Sequence, residues 1–181
     1  MERLRKEGEA HAAEDAEREL AGPRLVDIAP EDLDAALARL GPELRAPARH
    51  VTTEQHRVLE AVAALQAGDD VRMGQLMRQS HESLRDDYRV TGPELDALAA
   101  AAWEAPGCLG ARMTGAGFGG CTVNLVRADA AEAFADFVGP RYTEATGLDP
   151  RFFVVRADAG AREITAPAEL NANPAPAWEQ A

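Results

Sequence analysis

The chain has 181 residues, of which 46% are hydrophobic, and it carries a formal net charge of −12. One domain with an appendage is the expected organisation, and the acidic balance disfavours binding to nucleic acids or to anionic membranes. The acidic net charge does not indicate which small molecule the protein binds. No apolar run reaches the roughly 20 residues of a membrane helix, and residues 1–20 lack the order of a signal peptide. Cys108 and Cys121 form a poor disulfide framework, so we expect free thiols and a cytoplasmic protein.

The first half of the chain is predicted to be helical. Residues 2–20 are typical of a solvated helix, and residues 24–29 of a short extended or loop segment. A second helix is expected from Pro30 to the Gly41-Pro42 pair, with acidic residues in its first turn.

A longer helix is predicted over about 48–67. Its apolar residues recur at helical spacing and should face the core: Val51, Val58, Leu59, Val62 and Leu65. Gly68 is placed to end this helix, and Asp69 or Asp70 to begin the next. The next helix is expected to bury Val71, Leu76, Met77 and Leu84. The two helices would form an antiparallel αα-hairpin.

From residue 88 the order of predicted elements becomes β-α-β-β-α-β. Strands are expected at 88–90, 109–113, 121–126 and 152–155. One helix should begin at Pro93 and end at Pro106-Gly107. The other should be capped by Asp129, carry Phe134, Phe137 and Val138 on one side, and break at Gly139-Pro140. This order predicts an α+β fold with a ferredoxin-like split βαβ core, in which an antiparallel sheet carries helices on one face. The N-terminal helical hairpin would cover an edge or extend the helical layer.

The segment 112–126 is the most informative part of the chain. Its glycines fall within six positions, at Gly115, Gly117, Gly119 and Gly120. Such a loop lets the backbone approach a ligand and can cradle a phosphate with its amides. A strand follows where a dinucleotide-binding fingerprint needs a helix, and Lys6, the only lysine, is far from a P-loop position. An unliganded hairpin turn is the alternative, although Phe118 is an unusual residue for a bare turn.

Three blocks of this sequence resemble the galactokinases, a branch of the GHMP small-molecule kinases. The glycine segment 112–121 reads R-M-T-G-A-G-F-G-G-C, residues 80–88 read S-H-E-S-L-R-D-D-Y, and residues 48–54 resemble the family's A-R-H-V-x-x-E. The resemblance covers roughly residues 5–160. It implies the α+β C-terminal domain of that family over 48–163 and a helical segment from the interdomain region over 1–47. The composition of residues 164–181, rich in Pro, Ala and Asn, predicts a disordered tail.

The resemblance also implies a function. Galactokinases transfer the ATP γ-phosphate to galactose, giving galactose 1-phosphate with Mg²⁺, and the loop would lie at the nucleotide, phosphate and substrate site. We define the glycine loop as Thr114, Gly115, Ala116, Gly117, Phe118, Gly119 and Gly120. The family's sugar-binding segment, its second phosphate loop and its reacting Arg and Asp are missing from this sequence. We therefore expect a truncated or split galactokinase with no catalytic residue and no tightly bound ATP or Mg²⁺ of its own.

Other readings of the chain remain open. The rival function is a non-catalytic module, derived from a GHMP kinase, that binds a ligand or a partner. It would self-associate, or pair with a separate half, through an exposed interdomain face. Another GHMP kinase specificity, such as mevalonate or homoserine, is disfavoured by the S-L-R-D-D-Y block.

The remaining candidate sites each have a structural explanation that we prefer. Asp86-Asp87 could bind a metal, but adjacent carboxylates more often cap a helix or face solvent. His50, Glu54 and His56 do not have zinc-protease spacing. Ser80 and His81 do not form a triad. We expect Cys121 to be a buried strand residue and Trp103 to belong to the core.

Overall fold

The computed structural model describes residues 24–155. The helix predicted over 2–20 and the tail predicted after 164 lie outside these residues. The described part has five α-helices and two strands. The helices are α1 (Leu33–Ala38), α2 (Pro42–Ala67), α3 (Asp70–Ser83), α4 (Pro93–Glu104) and α5 (Ala131–Thr146). The strands are β1 (Cys108–Thr114) and β2 (Cys121–Val126). No helix among the described residues is long and apolar enough to span a membrane.

Helix α2 begins six residues earlier than the sequence predicted. Pro42 lies in its first turn, where a missing amide leaves no hydrogen bond unmade. Pro47 lies inside the helix one turn later, where it removes the single bond that its amide would have given to Glu43. A proline this close to the start costs one hydrogen bond and does not end the helix.

The αα-hairpin forms at the predicted turn. Gly68 ends α2 in the left-handed region at φ 68°, and the Asp69 carboxylate accepts a hydrogen bond of 2.9 Å from the amide of Arg72. These two residues supply the cap that ends one helix and the cap that starts the next.

The predicted inward face of the hairpin is partly wrong. On α2 the buried residues are small or polar (Ala48, His50, Thr52 and Ala64), while the larger apolar residues are 48–61% exposed (Val58, Leu59, Val62 and Leu65). On α3, Leu76 and Met77 are buried as predicted, but Val71 is exposed. Helical spacing identifies an apolar stripe on the helix. It does not show whether that stripe is the face that packs against the rest of the described chain.

The two strands form an antiparallel hairpin in which Thr114 pairs with Cys121 and Arg112 with Val123. They agree with the predicted strands at 109–113 and 121–126. The strand predicted at 88–90 is wrong, because the chain makes a π-helical turn over Leu84–Tyr88 and then a left-handed residue, Arg89. Residues 152–155 form no strand either. The described sheet therefore has two strands, within an α+β fold as predicted.

Helices α4 and α5 pack on one face of the sheet. Ala111 of β1 is fully buried in a cluster with Ala102 of α4 and with Phe134 and Val138 of α5. Trp103 packs against this cluster, as predicted, and its indole Nε1 donates a 3.0 Å hydrogen bond to the carbonyl of Ala111. This cluster is the core from which the site extends.

Helix α3 covers the outer edge of β1, which is one of the two positions predicted for the hairpin. The amide of Met113 points away from β2 and donates to His81 Nδ1 at 3.0 Å. Farther along, Gly74 of α3 and Gly110 of β1 lie in backbone contact, and a Cβ on either glycine would overlap the main chain of the other strand or helix. The helix therefore approaches the strand as closely as backbone atoms allow.

Two local predictions for α5 are wrong. Asp129 does not cap the helix, since Ala130 is the residue before its first turn and Asp129 instead accepts a 3.0 Å hydrogen bond from Arg127. Gly139-Pro140 does not break the helix, which is continuous to Thr146. Pro140 is exposed and removes one hydrogen bond without disturbing the buried side of the helix.

Candidate functional site

The glycine loop connects β1 to β2 in a conformation that glycine favours. Its four glycines have φ between 85° and 125°, and Phe118 is left-handed at φ 57°. Side chains other than glycine rarely adopt such angles, so the loop's composition is dictated by its backbone shape. Thr114 ends β1 opposite Cys121, and Ala116 and Phe118 are exposed, Phe118 to 78%.

One hydrogen bond fixes the loop to the rest of the fold. The amide of Phe118 donates to the carbonyl of Val90 at 2.8 Å. A Cβ at Gly117 would overlap that same carbonyl oxygen, whereas Gly115, Gly119 and Gly120 have nothing near the position of a Cβ. Gly117 is therefore required by packing as well as by backbone angle.

The rest of the loop is open toward solvent. Between 115 and 120, the amide of Phe118 is the only one that finds an acceptor within the described part of the chain. Successive unpaired amides in a loop with positive φ angles are suited to bind the oxygens of a phosphate group. The geometry thus fits an anion, without side chains that would block its approach.

A polar cluster contacts β1 two residues before the loop begins. We call it the Glu54 cluster, and it consists of Glu54, Arg57, Ser80 and Arg112. The Ser80 hydroxyl donates to Glu54 Oε1 at 2.6 Å, and Arg112 Nη1 lies 2.9 Å from Ser80 Oγ and 3.3 Å from Glu54 Oε1. Arg57 Nε donates to the other carboxylate oxygen at 2.7 Å. The cluster joins residues 58 positions apart and anchors β1 just before the loop.

The environment of Glu54 favours its charged form. Burial opposes ionisation of this carboxyl, but the hydrogen bonds from Ser80 and Arg57 and the charges of Arg57 and Arg112 outweigh burial and lower the pKa of Glu54. An ionised Glu54 holds both guanidinium groups in place. The sequence analysis predicted no contact among these four residues. Arg57 also lies outside the three blocks, and its position three residues after Glu54 on a helix was the available signal.

His81 makes a second connection to the strand that leads into the loop. Its ring is fully buried and lies edge-on to Trp103, with Nδ1 accepting from Met113 and Nε2 at 3.1 Å from Asp96 Oδ1. Because Nδ1 accepts a backbone hydrogen bond, the proton of the neutral ring resides on Nε2 and is donated to Asp96. Burial lowers the pKa of His81, although the hydrogen bond and charge of Asp96 act in the opposite direction.

His50, Glu54 and His56 lie on one helix but make separate contacts. His50 is buried, stacks on Tyr88 and bonds Ser83 Oγ at 3.0 Å, and burial is the main reason for its lowered pKa. His56 Nε2 lies 3.1 Å from the carbonyl of Ile28. These contacts give both imidazoles a structural role.

The Asp86-Asp87 pair is also divided between different partners. Asp86 accepts from Arg85 at 2.8 Å, and Asp87 accepts from Ser83 at 2.9 Å. Residues 24–155 contain no group of three or more His, Cys, Asp or Glu placed to hold a metal ion.

The two cysteines differ in environment. Cys108 is half-buried, and burial raises the pKa of its thiol. Cys121 is exposed beside the glycine loop, so the prediction that it is a buried strand residue is wrong.

The three sequence blocks meet at one place. Glu54 comes from the block at 48–54, Ser80 from 80–88 and Arg112 from 112–121, and their side chains contact one another directly. The glycine loop and Val90 complete this region, because the loop follows β1 and Val90 follows the block at 80–88. Segments far apart in sequence thus build one site around an open, amide-lined loop.

Comparison with known proteins agrees with this arrangement. Residues 61–143 match the family model described as GHMP kinases C terminal. The galactokinases of Clostridium beijerinckii and of Bacillus subtilis (strain 168) are each 45% identical to the chain over 141 residues, which is 77% of this chain and 36% of each relative. The galactokinase of Streptococcus thermophilus is 53% identical over 117 residues. The matched region spans 30–36% of the length of these relatives.

Solved structures give the same result. The structure of Lactococcus lactis galactokinase complexed with galactose aligns with a TM-score of 0.68 and 42% identity, over 76% of this chain and 36% of that one. The structure of L. major mevalonate kinase in complex with R-mevalonate aligns with a TM-score of 0.50 and 27% identity, over 67% of this chain and 38% of that one. Residues 61–143 therefore match the C-terminal domain of GHMP kinases, and the chain is similar to galactokinases over about three quarters of its length.

Proposed function

We propose that this chain is the C-terminal part of a galactokinase, which phosphorylates galactose to galactose 1-phosphate with ATP once an N-terminal catalytic half completes it. The observation that carries this proposal is the convergence of the three galactokinase-like blocks around the open glycine loop. The identity of 45–53% to galactokinases supports galactose over the substrates of other GHMP kinases.

The loop is assigned the role of binding the phosphates of ATP near the sugar. Phosphoryl transfer depends mainly on positioning the reactants and on stabilising the charge of the transferred group. The free amides of residues 115–117, 119 and 120 can donate to phosphate oxygens. The Val90 carbonyl and the Glu54 cluster hold the loop in place, so little reorganisation is needed when the anion binds.

Residues 24–155 supply no group that we assign to deprotonating the sugar hydroxyl or to holding Mg²⁺. In the family, Mg²⁺ neutralises phosphate charge, and we place its ligands in the N-terminal half. We accordingly propose that the chain alone is inactive and does not bind ATP, Mg²⁺ or galactose tightly. Its free thiols are consistent with a cytoplasmic location.

A kinase assay tests this function. The purified chain should show no galactose-dependent consumption of ATP, and equilibrium dialysis should detect no galactose binding. Co-expression with the part of Bacillus subtilis galactokinase that lies outside the matched region should give activity. Replacing Gly117 by Ala in the co-expressed chain should abolish this kinase activity, because the added Cβ would overlap the Val90 carbonyl and displace the loop.

Two results would contradict the proposal. Sustained galactose-dependent turnover by the isolated chain, or saturable micromolar galactose binding, would show that the chain is not an incomplete kinase. A co-expressed pair that binds together but never phosphorylates galactose would favour the non-catalytic module instead.

A further inference from the structure

One buried side chain, His81, joins three elements of the fold next to the glycine loop. Its ring is fully buried and lies edge-on to Trp103. Nδ1 accepts the 3.0 Å hydrogen bond from the amide of Met113 in β1, and Nε2 lies 3.1 Å from Asp96 Oδ1 in α4. Since His81 itself belongs to α3, one imidazole fixes the positions of α3, α4 and β1 relative to one another.

Met113 connects this imidazole to the glycine loop. It directly precedes Thr114, the first residue of the loop. Its side chain is 3% exposed, and its Cε lies 3.2 Å from the position that a Cβ on Gly117 would take. The same Gly117 packs on the carbonyl of Val90, which accepts the hydrogen bond from the Phe118 amide. A shift of Met113 would therefore move the support of Gly117 and strain the one hydrogen bond that fixes the loop.

The hydrogen bond between Met113 and His81 requires one protonation state of the ring. The Met113 amide is a donor, so Nδ1 must present a lone pair to it, and the proton of the neutral ring lies on Nε2 facing Asp96. A second proton, taken from solvent, adds at Nδ1 and makes this nitrogen a donor that faces another donor. The bond is then lost, and a buried amide is left without an acceptor.

Charged groups on three elements influence the ring. Burial is the largest influence and lowers the pKa of His81 below its ordinary 6.5, against the hydrogen bond and charge of Asp96 on α4 and the charge of Glu82 on α3. In the π-helical turn, Arg85 opposes a charge on His81, whereas Asp86 favours one. From β1 the ring meets the uncharged Met113. The contact to Met113 is therefore present above pH 6.5 and is lost as the pH falls through the folded value.

We propose that His81 is a positioning residue for the glycine loop, and that protonation of its ring at Nδ1 releases Met113 and displaces the loop. In the protonated state Gly117 loses its support, and the Phe118 amide leaves the Val90 carbonyl. The amides of the loop then lose the arrangement that suits a phosphate. The consequence for phosphate binding rests on the proposed function, whereas the link from His81 to the loop depends only on contacts within this chain.

NMR on the full 181-residue chain tests this link. Nitrogen-15 shifts of the imidazole give the midpoint of His81, and hydrogen exchange gives the protection factor of the Phe118 amide. Protection at Phe118 should begin to fall near pH 6.5 and should level off at the midpoint of His81. It should fall by about tenfold per pH unit between these two values. The amide of Leu76, buried in α3, should stay protected over the same range.

Two results of this experiment would overturn the inference. Protection at Phe118 that does not change while His81 titrates would mean that the ring does not hold the loop. Equal loss at Leu76 and Phe118 would mean that protonation unfolds the whole domain and that His81 has only a general structural role.

Two histidine variants identify the residue responsible. His81→Asn places an amide oxygen near the position of Nδ1, so it can accept from Met113 but does not titrate, and Phe118 should stay protected down to about pH 5. His50→Asn is the matched control, because His50 is also buried with a pKa lowered by burial, yet its Nδ1 bonds Ser83. This control should keep the pH dependence of the parent. Loss of that dependence in the His50 variant alone would overturn the inference.

Asp96→Asn decides the question if His81→Asn does not fold. The side chain of Asp96 is 30% exposed, and an amide oxygen there can still accept from Nε2. Loss of the carboxylate charge should move the midpoint of His81 to lower pH, and the pH at which Phe118 protection levels off should move by the same amount. A midpoint that moves while the loop keeps its original pH dependence would refute the coupling.

Kinase activity of the co-expressed pair separates this inference from the proposed function. The KM for ATP should rise in the parent as the pH falls below 6.5, and His81→Asn should remove that rise. An active pair without this pH dependence would refute the role of His81 and leave the galactokinase function intact. Coupled titration of His81 and Phe118 in a pair with no kinase activity would support the role of His81 and refute the function.

Discussion

The main-chain amide of Phe118 donates a hydrogen bond to the carbonyl oxygen of Val90, 28 positions earlier in the chain, over 2.8 Å. Val90 follows the π-helical turn Leu84–Tyr88 and the left-handed Arg89, so the position of this carbonyl depends on an irregular backbone. Such turns are often found at functional sites. The shape of the glycine loop is thus set partly by a turn outside it.

Gly117 and Gly115 should respond differently to the same substitution. Both have φ near 86°, but a Cβ at Gly117 would overlap the Val90 carbonyl and a Cβ at Gly115 would meet nothing. Gly115→Ala should cost roughly 1–2 kcal/mol from backbone strain alone. Gly117→Ala should cost more and should displace the loop. Urea unfolding gives both free energies, and equal values would contradict the packing role of Gly117.

Replacing Glu54 by Gln should reduce the free energy of unfolding by about 1–3 kcal/mol at neutral pH, because two arginines and Ser80 lose a charged acceptor. The pKa of Glu54 is lowered on folding, so its contribution is full above the unfolded value near 4.5. It is lost as the pH falls through the folded value. The difference between parent and variant should therefore shrink below about pH 4.5, as measured by urea unfolding across pH.

Glu60→Gln is the control for that experiment. Glu60 pairs with Arg72 on the exposed side of the hairpin. Exposed ion pairs contribute little, and we expect a change within about 0.5 kcal/mol. A larger effect at Glu60 than at Glu54 would contradict the importance of the Glu54 cluster for stability.

His81 should be neutral and hold its proton on Nε2 at pH 7. Burial lowers its pKa below the ordinary 6.5, so its contribution to stability is present above that value and is lost as the pH falls through the folded pKa. Nitrogen-15 NMR of the imidazole reports both the tautomer and the midpoint. Asp96→Asn removes the group that opposes the lowering and should move the midpoint further down. A midpoint above 6.5 in the parent would refute this assignment.

Two leucines of the hairpin test which of its faces is buried. Leu76 of α3 is 3% exposed and Leu65 of α2 is 61% exposed. Leu76→Ala should cost about 2–5 kcal/mol. Leu65→Ala should stay within about 0.5 kcal/mol in the free chain. Thermal or urea unfolding of the two variants measures both free energies, and a large cost at Leu65 would mean that another part of the chain covers this face of α2.

Local patterns in the sequence predicted the elements whose cause is local. Alternation placed β2 at its observed bounds, and Gly68 with Asp69 marked the hairpin turn. The same reasoning wrongly predicted a strand ending at Val90. Nothing in the local sequence distinguishes a short strand there from the π-helical turn that the structure shows. This reasoning also chose Val58 and Leu65 for the core, since periodicity identifies a face and leaves its partner undetermined.

The candidate site was less accessible to such reasoning. The glycine loop was evident from its composition, but the contacts between Glu54, Ser80 and Arg112 join residues up to 58 positions apart. No spacing rule connects them, and the resemblance to one family identified their blocks without predicting that these three side chains meet. Arg57 was missed because its importance comes from facing Glu54 inside this cluster.

The close approach of Gly74 to Gly110 couples two contacts between α3 and β1, the one from Ser80 to Arg112 and the one from His81 to Met113. Gly74 lies within a helix, where glycine is disfavoured by roughly 1 kcal/mol relative to alanine, yet a methyl group at either position would push α3 away from β1. Ser80 and His81 follow Gly74 on α3, while Arg112 and Met113 follow Gly110 on β1. Widening that crossing would stretch both pairs of contacts together and loosen the strand that carries the glycine loop. A single methyl group at this crossing would thus change the position of the glycine loop.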